Sequence, residues 1–162
     1  MSDSLSRRSF LHAAGVALGA LAIGERAAAA VPLSAGAGPE DEPGPEVVKV
    51  LRAHFGDRAI RPGHVSLDVP EVAPDSREVP VLIESDLPMT PDAYVKGVHV
   101  IVDHNPDIYL AGFTLTPAIG AATIDTRIKM RRSSPVRVIV ETSSGELWST
   151  HKFVYTTLNG CV

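Results

Sequence analysis

The sequence predicts an all-β domain, an antiparallel β-sandwich of immunoglobulin-like type with a short N-terminal helix and a flexible C-terminal arm. Three observations point there. From His64 onward apolar residues recur with period two in seven short runs. Pro, Gly, Asp and Ser stand at the ends of those runs, where turns are needed. Helical spacing is confined to one stretch ahead of them.

The chain opens with Ser6-Arg7-Arg8-Ser9-Phe10-Leu11, a twin-arginine export signal. An apolar run from Leu11 to Ile23 follows, interrupted by Gly15 and Gly19, and then Ala27-Ala28-Ala29-Ala30, small side chains that a signal peptidase accepts. The apolar run is too short and too rich in Gly and Ala to span a bilayer. Residues 1–30 are therefore expected to be removed, leaving a mature chain that starts at Val31 in the bacterial periplasm, or outside the plasma membrane of a bacterium without one. Twin-arginine export carries folded proteins, loaded with a cofactor or bound to a folded partner. No metal-ligand spacing or nucleotide loop follows, so a partner is expected and a cofactor is not. Of the 15 basic and 19 acidic residues, Arg7, Arg8, Arg26, Asp3 and Glu25 leave with the signal, and the remainder is more acidic than the whole chain's −4. That balance argues against nucleic acid and against anionic membrane surfaces.

Residues 31–45, rich in Pro, Gly and acids, read as a flexible linker. From Pro45 to Phe55 the pattern changes. Val47, Val50 and Leu51 recur at helical spacing, Pro45 suits a first helical position and Gly56 a stop. Residues 46–158 form the expected sandwich domain. Val65–Val69 alternates and is closed by Pro70, Val79–Glu84 ends at Asp86-Leu87-Pro88, and Val95–Val102 puts Val98, Val100 and Val102 on one face. Ile108–Thr116 is closed by Pro117. In Ala121–Met130, Ala122, Ile124, Thr126, Ile128 and Met130 face one way and Thr123, Asp125, Arg127 and Lys129 the other. Val136–Glu141 turns through Ser143-Ser144-Gly145 into the last run, Glu146–Thr157. Trp148 is the only Trp and no disulfide is possible, so the likeness to antibody domains is one of architecture.

That last run leads almost directly into Asn159-Gly160-Cys161-Val162, residues 159–162. Cys161 is the only cysteine. In an exported protein such a cysteine either pairs with another molecule or is a free reactive thiol. Gly160 lets the chain bend through a narrow channel. About four residues past a sheet extend roughly 13 Å, which makes a swinging arm and not a pocket. Other candidates are weaker. His99, Asp103 and His104 do not share one face of a strand, so they read as a strand and a loop histidine and not as metal ligands. His151 reads as a packed or edge histidine. Arg127, Lys129, Arg131 and Arg132 make a cationic stripe, either a solvated face or a surface for an acidic partner or anion. No catalytic constellation is expected.

Together the signal, helix, sandwich and late cysteine resemble SoxY, the sulfur-carrier subunit of the periplasmic thiosulfate-oxidising Sox system. The stretches that carry the resemblance are Val65-Ser66-Leu67-Asp68-Val69-Pro70, Asp86-Leu87-Pro88-Met89-Thr90, Asp92-Ala93-Tyr94-Val95-Lys96 and Asp103-His104-Asn105-Pro106. Phe113-Thr114-Leu115-Thr116-Pro117, Gly120-Ala121-Ala122 and Thr126-Arg127-Ile128-Lys129 continue it, so that it spans about 46 to 162. The resemblance implies a non-enzymatic carrier in a heterodimer with a SoxZ-like subunit. It implies covalent sulfur attachment at Cys161, with Asn159, Gly160 and Val162 forming the arm around it. It also implies client partners: a c-type cytochrome complex that couples thiosulfate to the thiol, a hydrolase that releases sulfate, and a sulfur dehydrogenase. One departure stands out. The family's arm ends Gly-Gly-Cys-Gly-Gly, where this chain has Asn159-Gly160-Cys161-Val162. Val162 is bulkier than glycine, and the terminal carboxylate comes nearer the sulfur, where it disfavours thiolate and repels anions. A variant paralogue is thus one expectation, a carrier for another periplasmic oxidation pathway a second. An interaction protein disulfide-linked through Cys161 and a binding module that uses only the sandwich faces are the rivals.

Overall fold

The computed structural model describes residues 42–157. Arg7 and Arg8, the linker up to residue 41, and Asn159, Gly160, Cys161 and Val162 lie outside the described residues. The chain runs α1 (Pro45–Phe55), β1 (Ile60–Pro62), β2 (Val65–Asp68), β3 (Val72–Ala73), β4 (Val79–Ser85), β5 (Val95–Val102), β6 (Tyr109–Thr114), a 3-10 turn (Pro117–Ile119), β7 (Thr123–Ile128), β8 (Ser134–Thr142) and β9 (Leu147–Thr156). All seven expected strands and the helix are present.

Two strands escaped the sequence reading. β1 and β3 hold three and two residues, too few to show a period. Both pair in parallel with β9, at its two ends, so the otherwise antiparallel sandwich has two short parallel additions. Strand ends also moved. The alternation of Ala121–Met130 predicts one strand, but the ladder with β4 stops at Ile128. Met130 still donates its N–H, to the Ser76 carbonyl of a loop at 2.7 Å. A backbone group there is satisfied without a partner strand.

The larger sheet runs β1-β9-β8-β5-β6, with β3 also on β9; the smaller runs β2-β4-β7. Between them lies the main core, including Val81 and Ile83 of β4, Val98, Val100 and Val102 of β5, and Val136, Val138 and Val140 of β8. The outer face of the larger sheet is buried as well. There Val47 and Phe55 of α1, with Leu51 beside them, pack on Ile101, Ile139 and Leu147. With apolar layers on both faces, β5 and β8 are buried along nearly their whole length, and strict alternation gives way to near-continuous valine and isoleucine.

Gly56 stops α1, as its position suggested. Its N–H reaches the Arg52 carbonyl at 2.8 Å, and its backbone sits at φ 66°, ψ −146°, a region essentially reserved for glycine. Gly56→Ala is expected to cost about 1–3 kcal/mol, read as a lower urea midpoint with an unchanged slope. An unchanged midpoint would show that the helix end relaxes freely.

Candidate functional site

β9 carries the expected functional group, because Cys161 stands four residues beyond Thr157. The strand is held on both edges. β8 pairs with it from Glu141↔Leu147 to Ser134↔Val154. Its far end is then fixed by further bonds from both sides. The Tyr155 N–H donates to the Glu71 carbonyl at 2.8 Å and the Thr157 N–H to the Ala73 carbonyl at 3.3 Å. The Thr156 N–H donates to Ser133 Oγ at 3.0 Å, and the Thr157 hydroxyl to the Pro74 carbonyl at 3.0 Å. Val154 is fully buried. The root of the arm is therefore a fixed point, and a fully extended arm carries Cys161 at most ~14 Å from it. Just beyond Pro74, Asp75 is held below the usual carboxylate range by a side-chain hydrogen bond from Arg77. This local ion pair leaves little net charge there.

His99, Asp103 and His104 are not brought together, and no cluster able to hold a metal ion occurs among the described residues. Each has its own partner. Asp103 is nearly buried and takes Arg137 with both carboxylate oxygens, Nε at 2.8 and 2.9 Å and Nη2 at 2.8 Å. His104 Nδ1 lies 2.9 Å from the Ser133 carbonyl. The next residue, Asn105, donates to the Lys129 carbonyl and accepts from the Arg131 N–H, both at 2.8 Å. The Asp103-His104-Asn105 stretch thus ties the β5–β6 loop to β8 and to the chain ahead of it, including the Ser133 that grips the arm root. His151 lies opposite Arg137 on the outer face, on the side of Leu147 and Phe153, as alternation placed it. In the cationic stripe, Arg127 pairs with Glu78 at 3.1 Å with both side chains well exposed, which makes at least that member a solvated surface group.

A polar cluster missed in the sequence lies under α1, at the end of the sheet away from the arm. Glu141 is bound by Arg58 and, at 3.1 Å, by Lys96. His99 Nδ1 meets the Tyr109 hydroxyl at 2.8 Å, while its Nε2 is buried without a hydrogen bond, 3.9 Å from Glu141. His54 stacks on Tyr109 and the Phe55 edge meets His99. The signal for it was present: Glu141 and Lys96 project from strands whose neighbours are apolar, on the face the helix covers. Burial, aided by the electrostatic effect of nearby His54, Arg58 and Lys96, lowers His99 from its ordinary 6.5 against the pull of Glu141. Burial acts to raise Glu141, but hydrogen bonds from Arg58 and Lys96 override it and leave the acid below its ordinary 4.5. Both shifts give acid sensitivity. An unfolded chain takes up the His99 proton as pH falls below about 6.5 while the folded one resists, and the Glu141 contribution is lost as pH falls through its lowered value. Melting temperature should therefore drop from pH 7 to pH 5, and His99→Gln should flatten that segment. A wild-type curve already flat between these pH values would refute this.

The geometry can be set beside known proteins. A family model described as sulfur oxidation protein SoxY matches residues 51–161, a span that ends on Cys161. The sulfur carrier protein SoxY from Chlorobium limicola f thiosulfatophilum superposes with a TM-score of 0.56 at 21% identity, covering 68% of this chain and 96% of that one. Superoxide reductase (neelaredoxin) from Ignicoccus hospitalis superposes with a TM-score of 0.53 at 13% identity, over 59% of this chain and 81% of that one. At these identities the two structures speak for a shared fold alone, a scaffold that hosts more than one chemistry. No curated protein sequence matches the chain. Because the family match takes in well over half of the residues, including the sandwich and the single cysteine beyond it, the chain belongs to the SoxY family of sulfur oxidation proteins.

Proposed function

We propose that this protein is a periplasmic sulfur carrier, holding intermediates of thiosulfate oxidation covalently on Cys161 and offering them in turn to partner enzymes. The observation that supports it most directly is the anchored arm root, four hydrogen bonds fixing Tyr155 to Thr157 just ahead of the only cysteine. A thiol on a short tether from a rigid body visits several sites without releasing its cargo, at a high effective concentration. The chemistry asks nothing else of this chain. In the first step the Cys161 thiolate and thiosulfate form a sulfur–sulfur bond, and two electrons leave to a c-type cytochrome complex. In the second, water attacks the terminal sulfone sulfur. Sulfate and two protons depart, and a persulfide anion stays on Cys161 for a sulfur dehydrogenase to oxidise. The carrier thus needs no catalytic group or cofactor of its own, only an accessible thiol.

The same reading assigns residues 1–30, with Arg7 and Arg8, to export, 31–45 to a linker, 46–158 to the sandwich, and Asn159, Gly160 and Val162 to the arm. A SoxZ-like subunit would complete a heterodimer. No helix among the described residues is long and apolar enough to cross a membrane. The test is intact mass spectrometry of protein from its own periplasm, before and after a reductant. A reductant-sensitive adduct on the Cys161 peptide with the mass of sulfur or thiosulfonate is expected. A doubled mass that the reductant halves would replace the carrier by a disulfide-linked dimer. An adduct of other composition would assign the carrier to a different oxidation pathway.

A further inference from the structure

All but four of the lysine and arginine side chains among the described residues make an ion pair, and the four are Lys129, Arg131, Arg132 and Lys152. Three of these stand on one short segment between β7 and β8, and all three are exposed. On a chain of net charge −4 this is a local excess of positive charge. The segment is also pinned to the root of the arm at two points. The Met130 N–H donates to the Ser76 carbonyl at 2.7 Å, two residues beyond the Pro74 carbonyl that takes the Thr157 hydroxyl. At the other end Ser133 Oγ accepts the Thr156 N–H at 3.0 Å. Lys129 and Arg131 line a hollow of about 380 Å³ with Asn105 and Asp107, and Arg132 lines a larger one beside Ser133. Of the carboxylates in these two hollows, Asp103 is held by Arg137 and Glu46 lies 3.9 Å from Lys49. Glu42 and Asp107 are left against three cations.

Tether length brings the thiol to this segment. Cys161 stays within ~14 Å of Thr157, a residue whose place the segment itself helps to fix. The chemistry at the thiol makes the charge matter. A thiolate and a sulfur oxyanion are both anions, and their repulsion slows every encounter. Cations set around the thiol reverse that field and raise the local concentration of the anion. We propose that Lys129, Arg131 and Arg132 form a cationic collar at the arm root that receives the sulfonate end of the sulfur oxyanions meeting Cys161. The proposal rests on the carrier reading of Cys161. Exposed cations suit the task, because a solvated ion pair is weak and holds its anion only briefly. A carried group that must pass to the next enzyme needs no tighter hold.

The test follows Cys161 in the full mature protein, purified with any subunit that accompanies it, by timed quenching and the mass of the Cys161 peptide. Two reagents of different charge are compared. Tetrathionate is a dianion. The Cys161 thiolate attacks one of its inner sulfurs, the bond between the two inner sulfurs breaks, and thiosulfate leaves with the electron pair. Cys161 thereby gains a thiosulfonate with no outside oxidant. A dipyridyl disulfide, neutral at slightly alkaline pH, reacts by the same exchange and serves as the reference for thiol access. In Lys129→Gln/Arg131→Gln/Arg132→Gln the ratio of the tetrathionate rate to the dipyridyl rate should fall about tenfold at ~0.01 M salt. Wild type and variant should converge at ~1 M salt, where the screening length is ~3 Å. Arg52→Gln/Arg61→Gln/Lys152→Gln removes the same charge farther from the arm root and should change the ratio by less than about threefold. An unchanged ratio in the first variant would overturn the collar, and is the result a surface reserved for an acidic protein face would give. An equal fall in both variants would overturn it too, by reducing the effect to net charge. A plain thiol on the periplasmic protein would remove the carrier reading and the collar's cargo with it. An unchanged ratio beside a periplasmic sulfur adduct would remove the collar alone.

Discussion

Cys161→Ser is expected to abolish sulfur carriage completely and to leave the fold intact. A serine hydroxyl is not deprotonated near neutral pH, and it cannot form the sulfur–sulfur bond on which the exchange chemistry depends. No partial activity is anticipated, because Cys161 is the only thiol in the chain. The carrier reading puts Cys161 on a free arm, so stability should not move. The check is paired: the mass of the variant after exposure to thiosulfate and periplasmic extract, and its thermal melt. A retained adduct would place the attachment elsewhere. A lower melting temperature would mean that the cysteine is packed and does not ride on a free arm.

Asp103→Ala is expected to have the largest effect on stability. Arg137 and Asp103 are each 5% exposed at the side chain and share three charge-assisted contacts of 2.8–2.9 Å. Removing the carboxylate leaves a guanidinium buried in an apolar strand, and breaking such a pair costs about 3–5 kcal/mol. Against a typical total of about 5–15 kcal/mol this is a large fraction, and it should lower the melting temperature by more than about 10 °C. Replacing both partners, Asp103→Leu with Arg137→Met, should recover most of the loss, because the desolvation cost disappears along with the attraction. Denaturant unfolding of the three proteins decides it. A single variant within about 1 kcal/mol of wild type would show the pair to be solvated.

Much of this architecture is legible in the residues, and the parts that are not have definite causes. Ala122, Ile128 and Met130 are buried while Thr123, Asp125, Arg127 and Lys129 are exposed, as period two demanded, because β7 has one wet face. β1 and β3 were invisible because two or three residues cannot display a period, and what makes them strands is β9, far away in the chain. Arg137 lay in plain view inside Val136–Val140. A charged residue in a run buried on both faces must be paired, but which carboxylate pairs with it depends on the β5–β8 register, and periodicity does not report that. The site divides in the same way. A single cysteine four residues past Thr157 is a sequence-level fact. That the strand's last residues are gripped by Glu71, Ala73, Pro74 and Ser133 comes only from the tertiary fold.

The place of β9 has a kinetic consequence. It is the last strand among the described residues, yet it lies in the interior of the sheet, with β8 on one edge and β1 and β3 on the other. Ile60 waits for Leu147 and Val72 for Tyr155, so these pairings close long loops before they yield any contact. Folding of this domain should be slow for its size and should finish at the end that leads to the cysteine. A chain caught short of completion would have neither β3 nor Ser133 in position to hold Thr156 and Thr157. Only a molecule whose sheet has closed holds Thr156 and Thr157 at a defined point, so closing the sheet and placing the arm root are a single event.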